Sequence, residues 1–513
     1  MSSGPERIVD LHTHLFNARC LPLAGIIANA LKKDARDCLI ARAAAKLLNA
    51  LTEADYKEVS YTSSALHSTK YFIKQICQLT IQQLNVPTHF NHATEIKKNR
   101  KVQKQAKFFA LQRILESEIY QSLRQLEEGL IEQKILASKI KKNEKNIEAL
   151  GGWAQKIVKK ALGYIQDNAI KTEVENYPAF FFHMLKAESR LAKNIFEAYG
   201  SNAQNMQIVH HMMDMQYAYA PHQSDKELKI VAPMYDFPSV QLRRMQKIQQ
   251  NSKGKILGFA AFDPRRSDCI DVVKWACSMQ FLGFKFYPAM GYKPIGNNDP
   301  SVEKNVNEFF KYCEEKGIPV FTHCTPLGFE TKEKLGLNTN PDHWAKLLEH
   351  YPKLNLCFGH GGGGYAVRKS KGKNGKESKT IYHGWTAKDV GEWEADNNFA
   401  RKVSILCKKY ENVYCELAYI TELFEGKEKQ QNASREALIE NLQRAIEKPS
   451  SEEIYDFSLK VAYGSDWHMP SMVNHPRKYL EVFLDIFKQQ NPKLKINQED
   501  FFWKNAYKYL NLT

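Results

Sequence analysis

Short apolar runs recur along this 513-residue chain, and each ends on a polar or small residue. They are RIVDLHTH at 7–14, MQIVHHMMDM at 206–215, ILGFAAFDP at 256–264 and FLGFKFYP at 281–288. Four more follow: IPVFTHCTP at 318–326, LNLCFGHGG at 354–362, NVYCELA at 412–418 and KVAYGSDWH at 460–468. Val, Ile, Phe and Tyr dominate them with little polar alternation, the texture of strands buried on both faces of a parallel sheet. Helical stretches separate most of the runs. VEKNVNEFFKYCEEKG at 302–317 closes on a glycine suited to a helix C-terminus. PDHWAKLLEHYP at 341–352 opens on a proline, which the first helical turn tolerates. Repeated strand–helix units predict an α/β fold, and eight strands predict a closed (β/α)8 TIM barrel.

The spacing breaks once. About 190 residues separate His14 from Met206, far more than a βα connection needs. That stretch is helical in texture, with apolar positions near i, i+3, i+4 and i+7 in AKFFALQRILESEIYQSLRQLEEGLIEQKILASKIKKNEKNIEAL. The expected organisation is a barrel from 1–20 and 201–513 with a large all-helical insertion, 21–200, after the first strand. The last helix of the insertion could equally belong to the barrel. A second irregular stretch, GGGGYAVRKSKGKNGKESKT at 361–380, follows the sixth strand. It reads either as a solvated loop or as a lid or anion-binding loop on the C-terminal face.

Charge adds one feature to this picture. The chain carries a net +16, which favours anionic partners. Residues 31–200 hold 28 Lys or Arg against 18 Asp or Glu, so the excess concentrates in the insertion. This is either a solvated helical surface or a face for a nucleic acid or protein partner. Ten cysteines without a CxxC pair read as reduced core thiols. No signal peptide or 18-residue apolar run is found, so a cytoplasmic protein without membrane contact is expected.

The polar residues that end the runs carry the chemistry. His12 and His14 end the first strand. Alternate positions share a face, so both imidazoles can converge on one ion, and Asp10 is placed to orient an imidazole from behind. His323 ends the fifth strand, His360 the sixth and Asp466 the eighth. In a barrel all of these lie on the C-terminal face, where active sites are built. Their N and O donors suit one divalent metal: Zn²⁺ first, Mn²⁺ or Fe²⁺ as alternatives. Such an ion activates water and polarises a carbonyl, with a free histidine or Asp466 moving the proton.

VDLHTH, FTH, FGHGGG and YGSDWHMP together resemble the amidohydrolase superfamily. GSDW with its nearby proline, GFAAFDPR, GFKFYP and the ending FFWKNAYKYLNL are similar to the amidohydrolase-related branch. That branch includes aminocarboxymuconate-semialdehyde decarboxylase, resorcylate decarboxylases and dicarboxylate lactonases. The resemblance covers residues 7–16 and 206–512 and leaves the insertion outside. It implies that His12, His14, His323 and Asp466 bind a single ion and that His360 is the acid/base. It also implies a second possibility: Lys285, at the end of the fourth strand, carboxylated and bridging two ions, with His323 and His360 on the second. Arg265 or Lys293 could bind a substrate carboxylate, and His468 could hold substrate or a second ion. Asp214, Asp263, Tyr287, Tyr292, Glu416 and Trp467 share the face and read individually as structural.

The expected function is a metal-dependent hydrolase of an amide, lactone or cyclic imide, acting on a small anionic molecule, in a homo-oligomer. A non-oxidative decarboxylase on the same site is the first alternative. A PHP-type phosphoesterase fits DLHTH and SD-x-H, but residues 15–51 lack the second histidine cluster. A TatD-like nuclease suits the charge but wants Glu where Lys285 stands. The last alternative is a binding module working through the basic insertion.

Overall fold

A computed structural model describes residues 4–30, 183–219, 231–371, 377–447, 451–488 and 494–512, with positions 41, 42, 45, 48, 49, 52, 53 and 180. The long helical patterns expected at 54–179, and the nucleic-acid or protein face expected of them, lie outside the described residues.

Eight parallel strands form the barrel: β1 (Ile8–Thr13), β2 (Met206–His211), β3 (Ile256–Phe262), β4 (Gly283–Phe286), β5 (Val320–His323), β6 (Leu356–Gly359), β9 (Val413–Leu417) and β10 (Val461–Tyr463). Each pairs in parallel with the next. The barrel closes through an isolated parallel bridge between Thr13 and Trp467. There the Asp466 N–H donates to the His12 carbonyl at 2.7 Å, and the His14 N–H donates to the Trp467 carbonyl. The fold is therefore the expected (β/α)8 barrel.

Strand phase explains where polar groups can go. Val9, Leu11, Val209, Phe259, Phe321, Cys357, Tyr414 and Ala462 pack together as the barrel interior. Ala506, Tyr509 and Leu510 of the C-terminal helix join them, and the Asn355 side chain, just ahead of β6, donates to the Tyr509 carbonyl at 2.7 Å. This helix plugs the end of the barrel where the strands begin. Two residues further along their strands, in the same inward phase, come His211, His323 and Glu416, and Lys285 is inward on β4. The interior is thus apolar at one end and ionisable at the other.

β1 departs from strict alternation. With Val9 and Leu11 inward, His12 would point out, but the register shifts between Asp10 and Thr13. This bulge turns His12 inward onto Phe321, with ring centroids 4.8 Å apart. Within the stretch 361–380, expected as a loop, β7 (Ala366–Lys371) pairs antiparallel with β8 (Glu377–Tyr382). The start and end of the insertion pack on the barrel. Leu23, Ala24, Ile27, Leu191 and Ile195 are buried in its outer core, so the helix Glu188–Tyr199 is shared with it. The eight described cysteines are free thiols. Among the described residues no helix is long and apolar enough to cross a membrane.

Candidate metal centre

Four buried imidazoles, one carboxylate and one amine meet at the C-terminal end of the barrel. His12, His360 and Asp466 each bring one ligand atom within 4.8 Å of the others. Asp466 Oδ1 lies 3.2 Å from His14 Nε2 and 3.4 Å from His12 Nε2. Lys285 Nζ lies 3.1 Å from His12 Nε2. His323 Nδ1 lies 3.1 Å from His360 Nε2. All six side chains are buried.

The outer nitrogen of three rings is anchored by an acceptor. His12 Nδ1 meets Glu416 Oε1 at 2.7 Å, His14 Nδ1 meets the His211 carbonyl at 2.9 Å, and His360 Nδ1 meets the Ala418 carbonyl at 3.2 Å. An acceptor on Nδ1 assigns the proton to that atom, leaving Nε2 as a bare lone pair directed inward. Lone pairs of His12 and His14 then face a carboxylate oxygen. Acceptors facing acceptors repel unless a cation stands between them, so the donor set fits a divalent ion.

Burial sets the protonation states. It pushes His12 well below the ordinary imidazole range, aided by the Lys285 ammonium. His14 falls to about 3 and His360 to about 4 for the same first cause. The rings are therefore neutral and ready to ligate at physiological pH. Burial raises Asp466 to about 6, opposed by His360 and Lys285. It lowers Lys285 to about 7, opposed by Asp466 and Glu416.

The expected site residues divide. His12, His14, His323, His360, Asp466 and Lys285 come together. The gap itself is bounded by His12, His360 and Asp466, and His323 joins through His360. Arg265 is turned toward the protein: its guanidinium donates to Asp263 and to the Met290 carbonyl, over the Tyr292 ring. Lys293 is half-buried, with its backbone tied to Asn297 and its charge acting on His343. Among the described residues no contact joins it to the cluster. His468 is buried beside the centre rather than in it. Its Nδ1 meets the His14 carbonyl at 3.0 Å and its ring packs near Phe16 and Phe180.

Asp10 touches no imidazole ring. It accepts from the Ser465 N–H and hydroxyl, at 2.9 and 2.6 Å, from the Tyr199 hydroxyl at 2.6 Å, and from the His12 N–H at 3.2 Å. Its carboxylate clasps the first strand to the last. The orienting role expected of it falls to Glu416, read at first as structural. A lone carboxylate inside the apolar run VYCEL was the available signal, because burying one without partners is costly.

Residues 243–512 match the family model for amidohydrolases. No curated protein matches the sequence. Among solved structures, 5-carboxyvanillate decarboxylase from Novosphingobium aromaticivorans is 12% identical, with 70% of this chain and 94% of that one covered and a TM-score of 0.38. An amidohydrolase from Burkholderia multivorans is 9% identical, covering 66% and 95%, with a TM-score of 0.37. Amidohydrolase 2 from Bifidobacterium longum subsp. infantis is 14% identical, covering 60% and 81%, with a TM-score of 0.28. The family match spans more than half of the 513 residues, and the chain belongs to the amidohydrolase family.

Proposed function

We propose that this protein is a metal-dependent hydrolase that cleaves a C–N or C–O bond in a small anionic molecule. The supporting observation is the convergence of His12, His14, His360 and Asp466, with the Nε2 atoms of His12 and His14 both facing Asp466 Oδ1. A divalent ion, Zn²⁺ before Mn²⁺ or Fe²⁺, supplies a Lewis acid and lowers the pKa of water there. His12, His14 and Asp466 hold it, with His323 or His360 completing the set.

The chain's other groups do the rest. Asp466, raised to about 6, is ionised at neutral pH yet basic enough to take a proton from water. His360 stays neutral, with its Nδ1–H held by the Ala418 carbonyl. It can accept a proton at Nε2 and return it to the leaving atom. Lys285, at about 7, exists in part as a free amine, the form that carbamate formation requires, and in part as an ammonium, which can donate to an anionic substrate.

Bound metal per chain in wild type and Asp466→Asn tests the proposal, followed by assays of lactone and amide hydrolysis and of CO₂ release. About one ion per chain, reduced in the variant, with ester or amide cleavage supports it. CO₂ release from an aromatic or unsaturated acid without hydrolysis replaces the reaction but keeps the centre. Absence of metal after reconstitution with Zn²⁺ and Mn²⁺ removes both.

A further inference from the structure

Glu416 ligates nothing in the centre as read above, yet it is the carboxylate most closely tied to it. The residue lies on β9 and is fully buried. Its Oε1 accepts from two directions: His12 Nδ1 at 2.7 Å and the His360 backbone N–H at 2.7 Å. Those residues come from the first and sixth barrel strands, and both border the gap. His360 sits at φ +63°, a left-handed backbone that a non-glycine residue adopts only when its surroundings hold it there. The bond from its N–H to Glu416 is part of that hold.

The other oxygen, Oε2, has no hydrogen-bond partner among the described residues. It rests against Gly464, where an added Cβ would fall 2.4 Å from Oε2 and 3.1 Å from His12 Cβ. The glycine of the GSD motif is thus the space this carboxylate occupies. A leucine would suit the packing of an apolar strand better, so a buried carboxylate here has to be explained by what it holds.

We propose that Glu416 is a positioning residue, whose single oxygen Oε1 fixes the ring of His12, a ligand, and the backbone of His360, the acid/base, together so that both Nε2 atoms face the same gap, with Gly464 as the complementary space. This rests on the metal-dependent reading above. Carboxylates behind ligating histidines set the tautomer and raise ligand basicity, and their loss costs about ten- to a hundredfold in metal affinity.

The test uses the full-length protein with Zn²⁺ and Co²⁺ as probes. Zn²⁺ affinity is measured by chelator competition and ligand geometry by the visible spectrum of the Co²⁺ form. Glu416→Leu is expected to weaken Zn²⁺ binding about ten- to a hundredfold and to change the Co²⁺ spectrum. Glu416→Gln keeps an acceptor for both N–H groups but loses the charge. It is expected to preserve the spectrum and weaken Zn²⁺ about tenfold. Wild-type affinity and spectrum in a folded Glu416→Leu overturn the inference. If that variant does not fold, Glu416→Gln decides, and unchanged Zn²⁺ affinity in it overturns the inference. Failure of the wild type to take up either ion overturns the metal reading and this inference with it, whereas binding that is insensitive to Glu416 overturns this inference alone.

Discussion

Metal affinity should fall steeply as the pH is lowered, and the structure sets where. To ligate, Asp466 must be ionised, and in the ion-free protein burial raises its carboxyl to about 6. Lys285, 3.1 Å from His12 Nε2, must be neutral or it repels the incoming ion. Its amine is lowered to about 7. Both groups therefore favour binding above these values and oppose it below. From pH 8 to 7 affinity should fall only about twofold. From 7 to 6 it falls about tenfold as Lys285 gains its proton, and from 6 to 5 about a further fiftyfold as Asp466 does too. The total is about a thousandfold, roughly 4 kcal/mol at about 1.4 kcal/mol per unit. His14 at about 3 and His360 at about 4 add nothing in this window. Calorimetric titration with Zn²⁺ in buffers of different ionisation enthalpy reads both the affinity and the protons released. Lys285→Met and Asp466→Asn should each remove one of the two competing protons and make the dependence shallower, the second on a weaker baseline. An affinity that stays flat between pH 5 and 8 would refute the idea that these two protons compete with the ion.

Three further outcomes follow from the packing. Asp10→Ala strands the His12 N–H and the Ser465 N–H and hydroxyl, while the Tyr199 hydroxyl keeps the Tyr463 hydroxyl at 3.2 Å; at about 1–3 kcal/mol for each unsatisfied buried group, a stability loss of at least about 3 kcal/mol should appear in urea unfolding, and an unchanged midpoint contradicts the clasp. Arg265→Met leaves Asp263, which is 1% exposed, without its cation. It should cost about 3–5 kcal/mol in the same assay, whereas weaker substrate binding at full stability would support the substrate role. Gly362→Ala places a Cβ 2.4 Å from the Ala400 nitrogen at φ +95°, so thermal melting should show a lower Tm and the bound-metal assay a reduced content, because His360 is two residues away.

The barrel was legible because parallel strands buried on both faces cannot disguise themselves as amphipathic elements. Their polar stops at His14, His323, His360 and Asp466 mark the end where the interior ceases to be apolar. The pairing of β7 with β8 was not legible, because glycines and lysines say where a chain can turn but not whether its flanks pair. The partners of Arg265 were not legible either, because position on the face says nothing about prior commitments. Only the fold reveals that Asp263, two residues back, already takes its guanidinium.

Glu416 was hidden for a different reason. It is 404 residues from His12, and the contact exists only because barrel closure brings the seventh strand across from the first. Period-two reasoning correctly put His12 and His14 on one face, yet that face was the wrong one for Val9 and Leu11. The bulge between Asp10 and Thr13 reverses the phase. Asp10, left outward by the same bulge, is free to clasp Ser465 and Tyr199 instead of an imidazole. One local irregularity thus assigns two carboxylates their tasks: Asp10 closes the barrel, and Glu416 meets the histidine that the closed barrel delivers. A variant that straightened β1 should therefore lose both the clasp and the centre together, a coupling that neither site would show if its carboxylate acted alone.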